Sequence, residues 1–339
     1  MISKIDHKSI IFNNGTYNLD SHVFTPHIQP NENPLNYIEY TDSDTKVQNT
    51  YELLKRIFPD VHTREYFLDI LSSTFLGKNR TVAYFWVGDG GGKKTMKSII
   101  EEIFIGLSCT LTPQLIYAKY SRDTNDSIAD FRAKVNKDTR VAFIELPDDN
   151  RYIDPRELVS SNRVFYRELN AEAVCFNPIF KSFILGSKIH GNYDDSAMWH
   201  RIVAIPFEGG SNIDNEYASK ISELIQPFTW ILLQYLKNKR AATVIPAKII
   251  NTTFHMKRLN NTIEQFYTKH PVKIDTVINM ELYRKYENWH EMNFPRILPL
   301  PNYNFTEEIQ ILRENMKIYH DELDLYIVPV LNNIIVSYL

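Results

Sequence analysis

The 339-residue sequence is poor in cysteine, has no long apolar run and carries no excess of positive charge. Its cysteines, Cys109 and Cys175, lie far apart without a C-x-x-C partner, which excludes a disulfide framework and a cysteine-type zinc site. No window approaches 18 apolar residues and no signal-peptide pattern is visible, so we expect neither secretion nor a membrane span. With 38 basic and 41 acidic residues, a polybasic nucleic-acid coat is excluded, and any DNA site must be a local patch.

Apolar residues are abundant enough for a sizeable buried core, at 43% of the chain. Their helical spacing between 51 and 77 predicts two helices, and short β-branched and aromatic runs predict buried strands. Strands and helices in this order favour a multi-strand α/β core. We divide the chain into an N-terminal segment with a helical lead-in (1–78), the core (79–245) and a C-terminal domain (246–339). The core strands are expected at 80–87, 139–145, 181–186 and 201–207.

A glycine-rich loop between a predicted strand and a predicted helix is the strongest local signal. It fits the phosphate-binding pattern G-x-x-x-x-G-K-[ST], with Lys93 where the last glycine belongs. The glycines would turn backbone N–H groups towards phosphates, Lys94 would contact the β and γ phosphates of ATP, and the Thr95 hydroxyl would bind Mg²⁺. If the last position requires a positive φ, Lys93 would be strained by roughly 1 to 3 kcal/mol. The loop residues are Gly88, Asp89, Gly90, Gly91, Gly92, Lys93, Lys94 and Thr95.

The alternative for this loop is a glycine-rich connector that only turns a strand into a helix. A nucleoside triphosphatase also needs an acid at the end of a neighbouring strand, to hold Mg²⁺ or polarise the attacking water. Glu145 fits because it follows the apolar run 141–144, and Asp148 and Asp149 are further candidates. A carboxylate at a strand end that merely faces solvent is the alternative for Glu145.

The order of these segments resembles the superfamily 3 helicases of the phage, plasmid and poxvirus primase-helicase type. The resemblance covers nearly all of the chain and implies an AAA+-like P-loop core followed by a winged-helix-like domain. The family's N-terminal primase domain is not expected here. The matching segments are IIFNNGTYNLDSHVF (10–24), the lead-in and phosphate loop (53–95), RVAFIELPDD (140–149), RELVSSNRVFYREL (156–169), the sensor and arginine segment (176–207) and INMELYRKYENWHEMNF (278–294).

The resemblance also implies roles for single residues. Arg201 would be an arginine finger that acts on nucleotide in the neighbouring subunit, which implies a homo-oligomeric ring, expected to be a hexamer. Glu145 would be the acidic-motif residue and Ser187 would stand at the sensor position. Arg163 and Arg167 would contact single-stranded or forked DNA in the ring channel. Without the motif context, Arg201 and Arg167 would be interpreted as ordinary surface arginines.

Several residues depart from the family pattern. Lys93 replaces the loop glycine, Ser187 replaces the sensor Asn, His190 replaces a Pro, and 160–162 replace a Gly-Gly-Asp turn. Ser187 can still hydrogen-bond a water or phosphate, but it reaches less far than Asn. These changes indicate a slow or inactive ATPase on an intact fold.

The preferred hypothesis is an ATP- and Mg²⁺-dependent DNA helicase or translocase subunit. It would act in viral DNA replication in the host cytoplasm, with a separate primase or polymerase as a further expected partner. The alternative is a catalytically impaired relative that binds DNA or joins a ring as a structural subunit. A third hypothesis, an unrelated P-loop kinase or packaging motor, is disfavoured by the segments at 194–207 and 278–294.

Overall fold

The structure is a computed structural model with two compact units, Met1–Arg258 and Leu259–Leu339. The predicted boundary lies earlier, at 246. The difference arises because the helix Ala247–Arg258 packs on the sheet of the first unit. Structural statements concern the described residues, which are 5–6, 8–27, 35–77, 82–117, 131, 134–148, 151–159, 164–166, 174–191, 195–238, 244–270, 278–293, 299, 302 and 304–312.

Eleven strands are present in the described residues, in three sheets. The first four form an antiparallel sheet, the strands β8 and β9 form a ribbon, and the remaining five form the parallel central sheet. The strands are β1 (Ile5–Asp6), β2 (Ser9–Phe12), β3 (Gly15–Asn18), β4 (Phe24–Pro26), β5 (Ala83–Val87), β6 (Ser108–Leu111), β7 (Val141–Glu145), β8 (Val164–Tyr166), β9 (Val174–Phe176), β10 (Lys181–Leu185) and β11 (Ile202–Pro206).

Two helices precede the central sheet, as the apolar spacing predicts, and Asp60 separates them. Its carboxylate accepts hydrogen bonds from the backbone N–H and the hydroxyl of Thr63, both at 2.7 Å, and so caps the second helix. The first-unit helices are α1 (Thr45–Ile57), α2 (Val61–Ser72), α3 (Lys93–Ile103), α4 (Arg156–Val159), α5 (Ser196–Trp199), α6 (Ile213–Tyr217), α7 (Ile221–Asn238) and α8 (Ala247–Arg258).

The central sheet has the order β11-β5-β10-β7-β6, and all its strands are parallel. Four of its strands, β5, β7, β10 and β11, confirm the predicted strands. Because the strands are parallel, the segments that follow them meet at one edge, the carboxyl edge of the sheet. This edge therefore gathers the glycine loop after β5, the acidic segment after β7, which carries Asp148, and the sensor segment after β10, which carries Ser187.

Apolar residues cover both faces of the central sheet. On one face Trp86 packs against Phe67, Phe183 and Phe207, with ring centroids 4.9 to 5.7 Å apart. On the other face Phe85 and Val87 are buried in a second cluster. Helix α7 packs on α1, α2 and α3 and closes the first face. A sheet buried on both faces agrees with the continuous apolar runs of its strands.

The second unit has an aromatic core. Phe266 of helix α9 (Thr262–Lys269) contacts Tyr286 and Trp289 of helix α10 (Met280–Asn293), and Phe305 stacks on Tyr286 with centroids 4.8 Å apart. The winged-helix-like arrangement stays a prediction. In the described part of both units, no helix has the length and apolarity to cross a membrane.

Candidate nucleotide site

The glycine loop connects β5 to α3 at the carboxyl edge. Gly88 and Gly92 adopt left-handed conformations, with φ of 92° and 99°, and helix α3 begins at Lys93. The positive φ that the loop requires therefore falls on Gly92. The condition for strain at Lys93 is not met, because Lys93 occupies the first helical position and not the last loop position.

The loop packs closely on the segment after β11. The N–H of Gly91 donates to the carbonyl of Gly209 at 2.8 Å. A Cβ atom on Gly90 would lie 2.1 Å from the carbonyl oxygen of Phe207. The glycines are thus needed for contact with the protein's own backbone.

Lys93 folds over the loop. Its side chain is half-buried, and its Nζ donates to the carbonyl of Gly88 and, at 3.5 Å, to that of Gly186. Burial lowers the pKa of Lys93, while the negative charges of Asp89 and Asp214 oppose that shift. Lys94 is exposed to solvent. In the structure it is therefore Lys93, and not Lys94, whose side chain lies over the loop.

Thr95 is 2% exposed, and an acidic residue binds it from a distant part of the chain. The Oδ1 atom of Asp214, on α6, accepts hydrogen bonds from the Thr95 N–H at 2.9 Å and from its hydroxyl at 2.8 Å. Sequence reasoning missed Asp214, because it belongs to no motif and is brought to the loop only by the path of the chain after β11.

Glu145 ends strand β7, but that strand is not the neighbour of β5. Strand β10 lies between them, so Glu145 is two strand spacings, about 10 Å, from the line of β5. The Glu145 carboxylate pairs with Lys97 of α3 at 2.8 Å, and Lys97 also pairs with Glu101 at 3.2 Å. Burial works to lower the pKa of Lys97, but its bonds to Glu145 and Glu101 outweigh burial and raise it.

Ser187 joins the acidic segment to the glycine loop. Its carbonyl accepts from the Gly88 N–H at 3.0 Å, and its hydroxyl bonds Asp148 at 3.2 Å. Asp148 is thus in contact with the sensor position, whereas Glu145 contacts α3. Asp149 lies outside the described residues.

Arg201 lies at the amino edge of the sheet, opposite the carboxyl edge that carries the glycine loop. It immediately precedes β11, and its carbonyl accepts from the N–H of Ala83, the first residue of β5. The four residue steps from Ala83 to Val87 span about 13 Å. Arg201 donates to the carbonyl of Ala197 at 2.6 Å and is remote from its own loop. Arg163 and Arg167 lie outside the described residues.

The donors at the loop fit a phosphate group. Helix geometry leaves the first N–H groups of α3 without an intrahelical acceptor, and these groups attract anions. Lys93 adds a positive charge beside them. The Thr95 hydroxyl is an oxygen of the kind that Mg²⁺ prefers, although it donates here to Asp214. Among the described residues, no group of three or more His, Cys, Asp or Glu side chains could hold a metal ion.

A cavity of about 690 Å³ lies away from the loop. It is bordered by α1, α2, α7 and the start of α8. Four carboxylates and one lysine, Lys248, line it, so its net negative charge would repel a triphosphate. The loop is therefore the better candidate for nucleotide. The carboxylates belong to Asp42, Asp60, Glu65 and Asp69.

The chain is similar to viral proteins that carry helicase names. It is 24% identical to the helicase-named protein L207/L206 of Acanthamoeba polyphaga mimivirus, over 86% of this chain and 34% of that protein. The protein 022R of Frog virus 3 (isolate Goorha) is 24% identical over 70% of this chain and 27% of its own length. The protein 184R of Invertebrate iridescent virus 6 is 25% identical, over 81% and 33%. No protein-family model matches.

The chain spans about a third or less of the length of these curated relatives. Among solved structures, the C-terminal region of NrS-1 (residues 305–718, apo A form) gives a TM-score of 0.44 at 14% identity, over 75% of this chain and 63% of that one. A JCV helicase gives 0.33 at 13% identity, over 70% and 65%.

Proposed function

We propose that this chain is the nucleotide-binding core of a viral DNA helicase that couples MgATP hydrolysis to movement on single-stranded DNA. The observation that carries the proposal is Lys93, held over a glycine loop at the carboxyl edge of a parallel sheet, beside the N-terminus of α3. The similarity to helicase-named viral proteins supports it. The relatives are much longer, so the activity of the complete protein is part of the proposal.

Lys93 and the first N–H groups of α3 would bind the phosphates, with Lys93 exchanging the carbonyls of Gly88 and Gly186 for phosphate oxygens. Mg²⁺ would be held by the Thr95 hydroxyl together with the phosphates, and when bound it neutralises their charge. Glu145 would orient the attacking water once its bond to Lys97 loosens. The Ser187 hydroxyl would contact that water or the terminal phosphate.

Arg201 would act on the nucleotide of a neighbouring subunit. In its own subunit it lies at the far edge of the sheet, so only a second copy can bring this guanidinium to a bound phosphate. This supports a homo-oligomeric ring, which we propose to be hexameric. Single-stranded DNA would pass through the ring, contacted by Arg163 and Arg167, during viral replication in the host cytoplasm.

A second candidate function is a ring subunit that has lost its ATPase activity. Two observations favour it. The Thr95 hydroxyl and N–H are already bound by Asp214, and Glu145 is already paired with Lys97. Such a subunit would contribute Arg201 and DNA contacts without turning over nucleotide itself.

Phosphate release from MgATP, with and without single-stranded DNA, separates the two candidates. We expect turnover that DNA stimulates and that Lys93→Met abolishes. Lys93→Met keeps the apolar stem and removes the charge, so a loss reports on phosphate contact. Binding of MgATP without turnover would favour the structural subunit. Turnover that is equal in Lys93→Met and wild type would refute the assignment of the site.

A further inference from the structure

Asp214 holds the first turn of α3 in a way that a phosphate group would. The N–H of Thr95 belongs to the first four N–H groups of the helix, which have no intrahelical acceptor. One carboxylate oxygen of Asp214 accepts from both that N–H and the Thr95 hydroxyl, at 2.9 and 2.8 Å. An anion therefore occupies the position where the positive end of the helix dipole favours negative charge.

The same carboxylate also acts on Lys93. Its negative charge favours the protonated form of the Lys93 side chain, against the effect of burial. Asp214 thus interacts with both the cation and the hydroxyl that we assign to nucleotide binding. A phosphate bound to these two groups would be placed beside the carboxylate, and like charges at short distance repel.

Helix α6 has contacts with the core besides the one that Asp214 makes. Ile213, at its start, is fully buried, and Glu216 forms a two-pronged ion pair with Arg56 of α1, with both N–O distances at 2.8 Å. Gly209, which lies shortly before α6, accepts a hydrogen bond of 2.8 Å from the N–H of Gly91 in the glycine loop. These contacts hold α6 against the core, so the Asp214 side chain can leave Thr95 while its helix stays in place.

We infer that Asp214 is an internal competitor of the nucleotide. Its carboxylate caps α3 in the nucleotide-free chain, and the phosphates of a bound nucleotide displace it. This inference rests on the proposed function, because it presumes that the glycine loop binds nucleotide. It explains how Thr95 is buried and satisfied before nucleotide arrives, and it assigns Asp214 to setting the affinity of the site.

Calorimetric titration with MgATP and with ADP tests the competition, in wild type, Asp214→Asn and Asp214→Ala. We expect the Kd to fall roughly tenfold in both variants, since a competing charged hydrogen bond is removed. Glu223→Gln is the matched control, because it alters an exposed carboxylate at the start of the next helix, α7, beside a cavity that the loop does not line. Its Kd should stay within about twofold of wild type, as expected for an exposed charge.

Thermal unfolding gives a second readout that does not depend on activity. Without nucleotide, Asp214→Ala should unfold a few degrees below wild type, because α3 loses its cap. At saturating MgATP the difference should narrow, because the wild-type carboxylate has been displaced as well.

The outcomes separate this inference from the proposed function. In one outcome, Lys93→Met weakens binding and the two Asp214 variants leave binding unchanged or weaken it. That outcome would overturn the inference alone, and Asp214 would be a structural cap. Absence of binding in wild type and in both Asp214 variants would overturn the proposed function, and the inference with it. Binding that appears only in the Asp214 variants would support the competition.

Discussion

Substitution of Lys93 should weaken nucleotide binding much more than substitution of its neighbour Lys94. We compare Lys93→Met with Lys94→Met, because each removes a charge and keeps an apolar stem. Lys93 is half-buried over the loop, whereas Lys94 is exposed. The motif spacing alone predicts that Lys94 matters most, and the structure predicts the reverse.

The expected magnitudes follow from the two environments. A hydrogen bond to a charged group in a partly buried site contributes about 1.5 to 3 kcal/mol, so Lys93→Met should raise the Kd for MgATP by roughly tenfold to a hundredfold. An exposed charge that is screened by solvent contributes about 1 kcal/mol or less, so Lys94→Met should raise the Kd by at most about fivefold.

Calorimetric titration of MgATP into both variants and wild type measures these ratios directly. Circular dichroism of each variant checks that the fold is retained. A larger loss of affinity in Lys94→Met than in Lys93→Met would refute the reasoning. It would mean that Lys94 contacts the phosphates, as the motif spacing predicts, and that Lys93 does not.

Three further predictions address Arg201, the loop backbone and the second unit. Arg201→Ala should lose phosphate release alone and regain part of it when mixed with Lys93→Met, whose intact Arg201 can serve the neighbouring loop; no recovery on mixing would contradict action between subunits. Gly92→Ala should lower the thermal midpoint, because its φ is 99° and its Cβ would lie 2.6 Å from Ile57, whereas Gly210→Ala meets nothing within 4 Å and should be neutral. Burial lowers the pKa of His290 from 6.5 to about 4, so the unfolded chain takes up a proton at higher pH than the folded chain. Stability measured by denaturant unfolding should therefore fall as the pH drops from about 6.5 to about 4, on the order of 3 kcal/mol in total, and His290→Gln should remove that slope.

The architecture of the core could be predicted from local patterns. The runs that form β5, β7, β10 and β11 are short, continuous and apolar, as buried parallel strands are. The glycine loop followed by an amphipathic segment predicted the strand, turn and helix that the structure contains. Strand order could not be predicted this way, because periodicity carries no information on which strands pair. The insertion of β10 between β5 and β7 was therefore missed.

The details of the site depended on tertiary contacts that no motif records. The choice between Lys93 and Lys94 depends on where the positive φ falls, and the structure puts it on Gly92. Asp214 reaches Thr95 only because the segment after β11 packs back on the loop. The pairing of Glu145 with Lys97 likewise needs the position of α3 over β7, which the sequence spacing does not state.

Hydrogen–deuterium exchange with and without MgATP tests the central claim most directly, because it reports on the N–H groups that we assign to phosphate binding. The account predicts slower exchange in the peptide that covers Gly88–Met96, and in Lys93→Met the same slowing should require a roughly tenfold to hundredfold higher MgATP concentration. Residues around the acidic cavity of about 690 Å³, such as Glu65 and Tyr235, should be unaffected. Protection confined to that cavity, or unchanged exchange over Gly88–Met96 at saturating MgATP, would contradict the account.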